Sequence, residues 1–156
     1  MTQHPLRSTL LAASLALFTA IAAIAQTAGT QESALSPAQS AIINQKIAVL
    51  HTSGERNMAQ SWTNAKKVGE VLCRPAALST LRKKDPTVDK VFLGTSAPET
   101  LKLESNQRLI GSGQSRTPQG WTEFNFTCDL DPRTGKVTNF QTQPLPPQPQ
   151  LGTPNH

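Results

Sequence analysis

The sequence predicts an α+β fold in which N-terminal helices pack on one face of a four-stranded antiparallel sheet, similar to cystatin-like helix-on-sheet layers. Two observations predict it. Apolar residues recur at helical spacing between residues 36 and 84, then alternate with period two from residue 88 to 141. Proline, glycine and aspartate punctuate the second half at Ser96-Ala97-Pro98, Thr117-Pro118-Gln119-Gly120 and Asp131-Pro132-Arg133-Thr134-Gly135. A length of 156 residues and an apolar content of 37% fit a single domain with a modest core.

Residues 1–25 read as a cleavable export signal. Arg7 supplies the positive end, residues 10–25 are almost wholly apolar, and Ala23-Ile24-Ala25 offers the small-x-small pattern that places cleavage after Ala25. The apolar run is short for a bilayer about 30 Å thick, so no transmembrane segment is expected after cleavage. The expected location is periplasmic or secreted. Loss of Arg7 lowers the net charge from +5 to +4. Residues 26–35 lack periodicity and are expected to be a disordered lead-in, residues 36–142 the folded domain, and residues 143–156 a proline-rich disordered tail. The tail holds PxxP spacing from Pro144 to Pro147, a pattern that docks on aromatic grooves in some signalling domains.

Ser36 followed by Pro37 reads as an N-cap and first-turn proline, and Ile43, Ile47 and Leu50 then form a stripe widened by Ile42 and Val49, ending near Gly54. A second helix is expected to start at Asn57, with Gln60 completing a capping box. Met58, Trp62, Ala65, Val68 and Leu72 hold its apolar period, and Cys73 shares the face of Trp62. Pro75 must kink or restart it, because proline lacks an amide donor. The continuation stops at Asp85-Pro86.

Strands are expected at residues 88–93, at 101–116 as one long or two short strands, at 121–128 and at 136–141. With Pro118 and Gln119 central in the turn, Gly113 faces Phe124, Gly111 faces Phe126 and Leu109 faces Cys128 on one side of the sheet. Each glycine then meets a ring that fills its missing side chain. A three-residue last loop would set Phe140 against Phe126, and a four-residue loop would turn it to the other face.

No motif names an activity. The chain has three histidines, of which only His51 and His156 survive cleavage, so neither a Ser-His-Asp set nor a two-histidine metal site has its parts. No metal or cofactor is expected. Aromatic content of 4% is low for a protein that stacks bases, so no specific nucleic acid is expected either. Gly111-Ser112-Gly113 lacks the following helix that a phosphate cradle needs. Asn125-Phe126-Thr127 fits a glycosylation acceptor but falls on a core strand. Lys66-Lys67 and Arg82-Lys83-Lys84 read as solvated helix faces.

Several stretches resemble a family of small exported domains in Gram-negative bacteria. They are Ala65-Lys66-Lys67-Val68 through Leu72-Cys73, Val91-Phe92-Leu93-Gly94, Gly111-Ser112-Gly113, Gly120-Trp121, Phe124-Asn125-Phe126-Thr127-Cys128 and Val137-Thr138-Asn139-Phe140. The likeness is to the domain-of-unknown-function family numbered 930 and covers residues 60–141. It implies an envelope location and paired cysteines, and no activity. The extra first helix and the proline-rich tail lie outside it. Independently, an exported chain with Cys73 ending a core-facing helix and Cys128 on the core face of a strand meets the conditions for a disulfide.

The outward face of the sheet is the candidate contact surface. There Arg116 faces Trp121, Gln114 faces Glu123 and Ser112 faces Asn125. The expected function is a non-enzymatic binding or envelope accessory domain for an envelope protein or polymer. One alternative is an envelope-polymer hydrolase using Glu104 and Glu123. The other is a basic domain that holds anionic polymers through its helical lysines and arginines.

Overall fold

The computed structural model describes residues 32–95 and 100–145. The predicted export signal, residues 26–31 of the lead-in, the Ser96-Ala97-Pro98 loop and the tail from residue 146 lie outside the described residues. Helices precede an antiparallel sheet and cover one of its faces, giving the α+β architecture.

Helix α1, Pro37–Ala48, begins as expected. The Ser36 hydroxyl accepts from the Gln39 amide while the Gln39 side chain accepts from the Ser36 amide, a reciprocal cap that satisfies two orphan donors. Gln39 is fully buried and its Nε2 donates to the Asn106 carbonyl at 2.6 Å, which ties the helix to the sheet. Ile43 and Ile47 bury the stripe.

The second helix departs from expectation. Helix α2, Ser53–Ser61, starts four residues before Asn57, because Thr52 and Glu55 form the capping box in place of Asn57 and Gln60. A carboxylate at the third position also faces the positive end of the helix dipole, an advantage Gln60 lacks. In this register Ala59 faces inward and Met58 is exposed, so Met58 is not part of the core stripe.

Trp62 ends α2 in an extended conformation, and Thr63 caps helix α3, Asn64–Lys67. A π-helical segment, Val68–Cys73, and helix α4, Arg74–Lys84, continue from it. The Arg74 amide bonds to the Gly69 carbonyl, a five-residue step, so the turn before Pro75 is already widened and the proline ring is tolerated. Asp85 ends α4, with Arg82, Lys83 and Lys84 in its last turn facing the negative dipole end. In residues 32–35, which precede α1, Glu32 Oε1 accepts from the Ala65 amide at 2.6 Å, and Ser33 bonds to Asn64 and to the Glu104 carbonyl.

The sheet has five strands, where four were expected: β1 Lys90–Leu93, β2 Leu101–Ser105, β3 Arg108–Thr117, β4 Gly120–Leu130 and β5 Val137–Pro144. The extra strand arises because the segment 101–116 turns back at Asn106 and Gln107. Strands β1 and β2 lie end to end along one edge of β3, with Leu93 opposite Gly113 and Leu101 opposite Gly111, and β4 and β5 follow on the other side.

The central hairpin has the expected register, with Thr117 opposite Gly120, Gly113 opposite Phe124, Gly111 opposite Phe126 and Leu109 opposite Cys128. A Cβ on Gly113 would stand 2.8 Å from the Phe124 ring, so that ring does occupy the vacant space. At Gly111 the space is taken instead by the Thr100 carbonyl and Leu101 of the neighbouring segment, not by Phe126. In the last hairpin Phe140 sits opposite Cys128, after an irregularity at Leu130, and stacks diagonally on Phe126 at 5.4 Å. It is on the core face, but not directly against Phe126 as the three-residue loop required.

Val68, Leu72, Leu93, Leu109, Phe124, Phe126 and Phe140 form the buried layer between helices and sheet, with Trp62 half-buried at its margin. Cys73 and Cys128 are bonded across this layer with Cα atoms 6.2 Å apart. The bridge joins the end of the π-helical segment to the C-terminal part of β4.

Candidate functional site

The face of the sheet away from the helices carries the alternate residues of each strand. Because Val91 and Leu93 point into the core, Lys90 and Phe92 must point outward, and the same alternation turns out Gln114 and Arg116 on β3 and Trp121 and Glu123 on β4. The register aligns Lys90, Arg116 and Trp121 in one row and Phe92, Gln114 and Glu123 in the next. All four residues expected at this surface are thus brought together.

Their contacts add three residues that sequence reasoning missed. Phe92 stacks on Trp121 with ring centroids 5.5 Å apart and planes at 23°, reaching diagonally over β3. Lys90 Nζ lies 5.7 Å from the Phe92 ring centre. Arg116 stands 5.7 Å from the Trp121 ring centre, as expected, but its Nε and Nη2 also donate to both carboxylate oxygens of Asp89, at 2.8 and 2.6 Å. That hydrogen-bonded guanidinium holds the Asp89 carboxyl below its usual range. Gln114 Nε2 donates to Glu123 Oε1 at 2.9 Å. The outward parity of Phe92 was readable from the alternation around Val91 and Leu93. Asp89 precedes its strand and had no such signal.

Phe92 and Trp121 are 40% and 47% exposed on a face otherwise made of Lys, Arg, Asp, Gln, Glu, Ser, Asn and Thr with one half-buried Ile110. Asn125, from the candidate glycosylation pattern, is exposed on this face opposite Ser112 and Gln143. At the far end of the face Arg108 donates to Asp129 at 2.8 Å, and the hydrogen bond again lowers the Asp129 pKa.

The carboxylates weighed as a hydrolytic pair are not neighbours. Glu104 lies at the irregularity opposite Leu109 and Arg108, whereas Glu123 lies opposite Gln114. Five residues of β3 separate those rows, about 17 Å at about 3.4 Å per residue, beyond the ~5–9.5 Å that glycoside hydrolysis uses. Among the described residues no group of three His, Cys, Asp or Glu is placed to hold a metal ion, and no helix is long and apolar enough to cross a membrane.

The helical basic runs are partly engaged within the fold. Lys66 pairs with Glu70 at 2.6 Å, Arg82 donates to the Val88 carbonyl at 2.8 Å, and Lys84 donates to Thr142.

Comparison with protein-family models, curated proteins and solved structures finds no match for this chain.

Proposed function

We propose that the chain is an exported, non-enzymatic domain of the bacterial envelope that binds a protein partner through the open face of its sheet, centred on Phe92, Trp121 and Arg116. One observation carries this reading: two large rings stack in solvent on a face whose other side chains are polar. Burying them against a partner would remove apolar surface from water, at about 25 cal/mol per Å². Trp and Arg are also the residue types that dominate binding energy at protein interfaces. The rim fits the role. Arg116 and Asp89 fix each other, as do Gln114 and Glu123, so the rings sit among side chains whose geometry is already set. The exported location in this reading rests on residues 1–25 and on the formed disulfide, which persists in oxidising compartments. Kinship with the exported-domain family resembled by residues 60–141 is part of the same proposal.

The test is chemical cross-linking in envelope extract with the mature parent and with Phe92→Ala plus Trp121→Ala. The same partner should be captured by the parent and lost from the double variant, while circular dichroism of the two stays alike. Equal capture by a folded double variant would remove the open face as the site.

A further inference from the structure

The helical layer carries a separate groove of about 360 Å³. Ile47 and Leu50 from the end of α1, Ala59 and Trp62 from α2, and Val71 and Pro75 line its apolar part. The volume falls in the range of small-molecule sites. Trp62, the residue that caps the end of α2, stands in this lining beside the small side chains of Ala59 and Pro75.

The charge around the groove is one-sided. Glu70 is held between Lys66 at 2.6 Å and Arg74 at 2.9 Å, so its carboxylate is already satisfied. Lys46, on the same rim, is exposed and has no ion pair among the described residues. Residues 37–84 hold eight Lys and Arg against two acidic residues, whereas residues 86–145 hold six of each. The net positive charge of the domain therefore belongs to the layer that carries the groove. Glu70 and Val71 also come from the π-helical segment, a rare conformation that recurs at functional sites.

We propose that this groove binds a single-chain fatty-acid carboxylate, with the alkyl chain along Trp62, Leu50 and Val71 and the carboxylate at Lys46 and Arg74. The apolar lining recognises the chain, and the unpaired Lys46 recognises the head, assisted by Arg74, whose guanidinium is shared with Glu70. A volume of about 360 Å³ holds one alkyl chain of medium length, not the two chains of a membrane phospholipid.

The test uses the mature chain carrying Trp121→Phe, which leaves Trp62 as its fluorescent reporter, and titrates decanoate well below its micellar concentration. Trp62 emission should change saturably, and Lys46→Glu, at an exposed position, should weaken the midpoint about five- to tenfold. Uncharged 1-decanol should bind the parent more weakly than decanoate and be indifferent to Lys46→Glu. The proposal is overturned by the absence of a saturable response, by equal decanoate midpoints in the parent and Lys46→Glu, or by a response to anionic phospholipid vesicles alone.

Discussion

Arg116 clamps both carboxylate oxygens of Asp89, although the strand register sets Arg116 beside Lys90 and Trp121. The guanidinium reaches past the start of β1, where the Asp89 amide bonds back to the Arg116 carbonyl. Backbone and side chains thus close the same corner of the sheet. At the other end of β3 Arg108 Nε donates to Asp129 Oδ1, its direct cross-strand partner.

These pairs predict acid sensitivity. The pKa of Asp89 is lowered by its hydrogen bonds to Arg116, that of Asp129 by Arg108, and that of Asp131 by the Arg133 amide. A carboxyl whose folded pKa is depressed contributes stability that is full above its unfolded value, about 3.9 for Asp, and is lost as pH falls through the folded value. Thermal unfolding should therefore hold steady from pH 7 to about 5 and weaken below about 4. Arg108→Gln plus Arg116→Gln should flatten that acid limb, and an unchanged slope would contradict the assignment.

The central hairpin was legible because Pro118-Gln119 fixes the turn and every pairing follows by counting. The disulfide was legible for a related reason: Cys73 and Cys128 each fall on the apolar side of their own element. The division between β2 and β3 stayed open between one long strand and two short ones because its turn uses neither Gly nor Pro. It is held by the Ser105 hydroxyl, which accepts from the Gln107 amide, and by the Leu130 amide bonded to the Gln107 carbonyl from β4. The start of α2 was misplaced because two successive capping patterns compete there and only one carries a carboxylate. At the candidate site the parity of Arg116, Trp121, Gln114 and Glu123 was readable, but the Phe92 stacking needs the β1–β3 pairing, which no local pattern specifies.

The glycines separate by what surrounds them. A Cβ on Gly111 would run into the Thr100 carbonyl and come within 3.0 Å of Leu101, and backbone cannot yield as a side-chain tip can. Gly111→Ala should cost about 1–3 kcal/mol in urea unfolding. Gly54, near the start of α2, has open space around it apart from Thr52 Oγ1 at 3.9 Å. Gly54→Ala should instead stabilise by about 0.5–1 kcal/mol, since it restricts the unfolded chain without a clash.

Gln39 is predicted to be the most demanding polar residue of the helical layer. It caps α1 through its side-chain oxygen and reaches the Asn106 carbonyl through Nε2, with no exposure to solvent. Gln39→Leu keeps the apolar stem but strands the Ser36 amide and the Asn106 carbonyl. The loss should be about 2–3 kcal/mol. Ser36→Ala removes only the cap hydroxyl and should cost about 1 kcal/mol. Equal losses in the two variants would show that the bond to Asn106 contributes nothing.

The bridge between Cys73 and Cys128 closes a loop with a sequence separation of 55. In the chain-entropy account, forbidding the extended states of a loop that long stabilises the fold by about 4 kcal/mol. Reduction, or Cys73→Ala with Cys128→Ala, should lower unfolding stability by about 3–4 kcal/mol. The effect should be close to additive with Gly54→Ala, which lies in α2, away from the bridge. Denaturant titration of the oxidised and reduced chain checks both statements.

Substitution at the exposed rings should separate binding from folding. Phe92 and Trp121 lie on the face opposite the core, and their mutual stacking is worth about 0.5–1.5 kcal/mol. Phe92→Ala plus Trp121→Ala should therefore lower stability by no more than about 1.5 kcal/mol, against about 3–5 kcal/mol for the buried Phe124→Ala. If the surface pair cost as much as the core ring, it would be part of the fold, and the open face would lose its distinction as a contact surface. If the cost is small, conserved stability with lost partner capture assigns the two rings to binding. Differential scanning calorimetry of the two variants beside the parent makes the comparison directly.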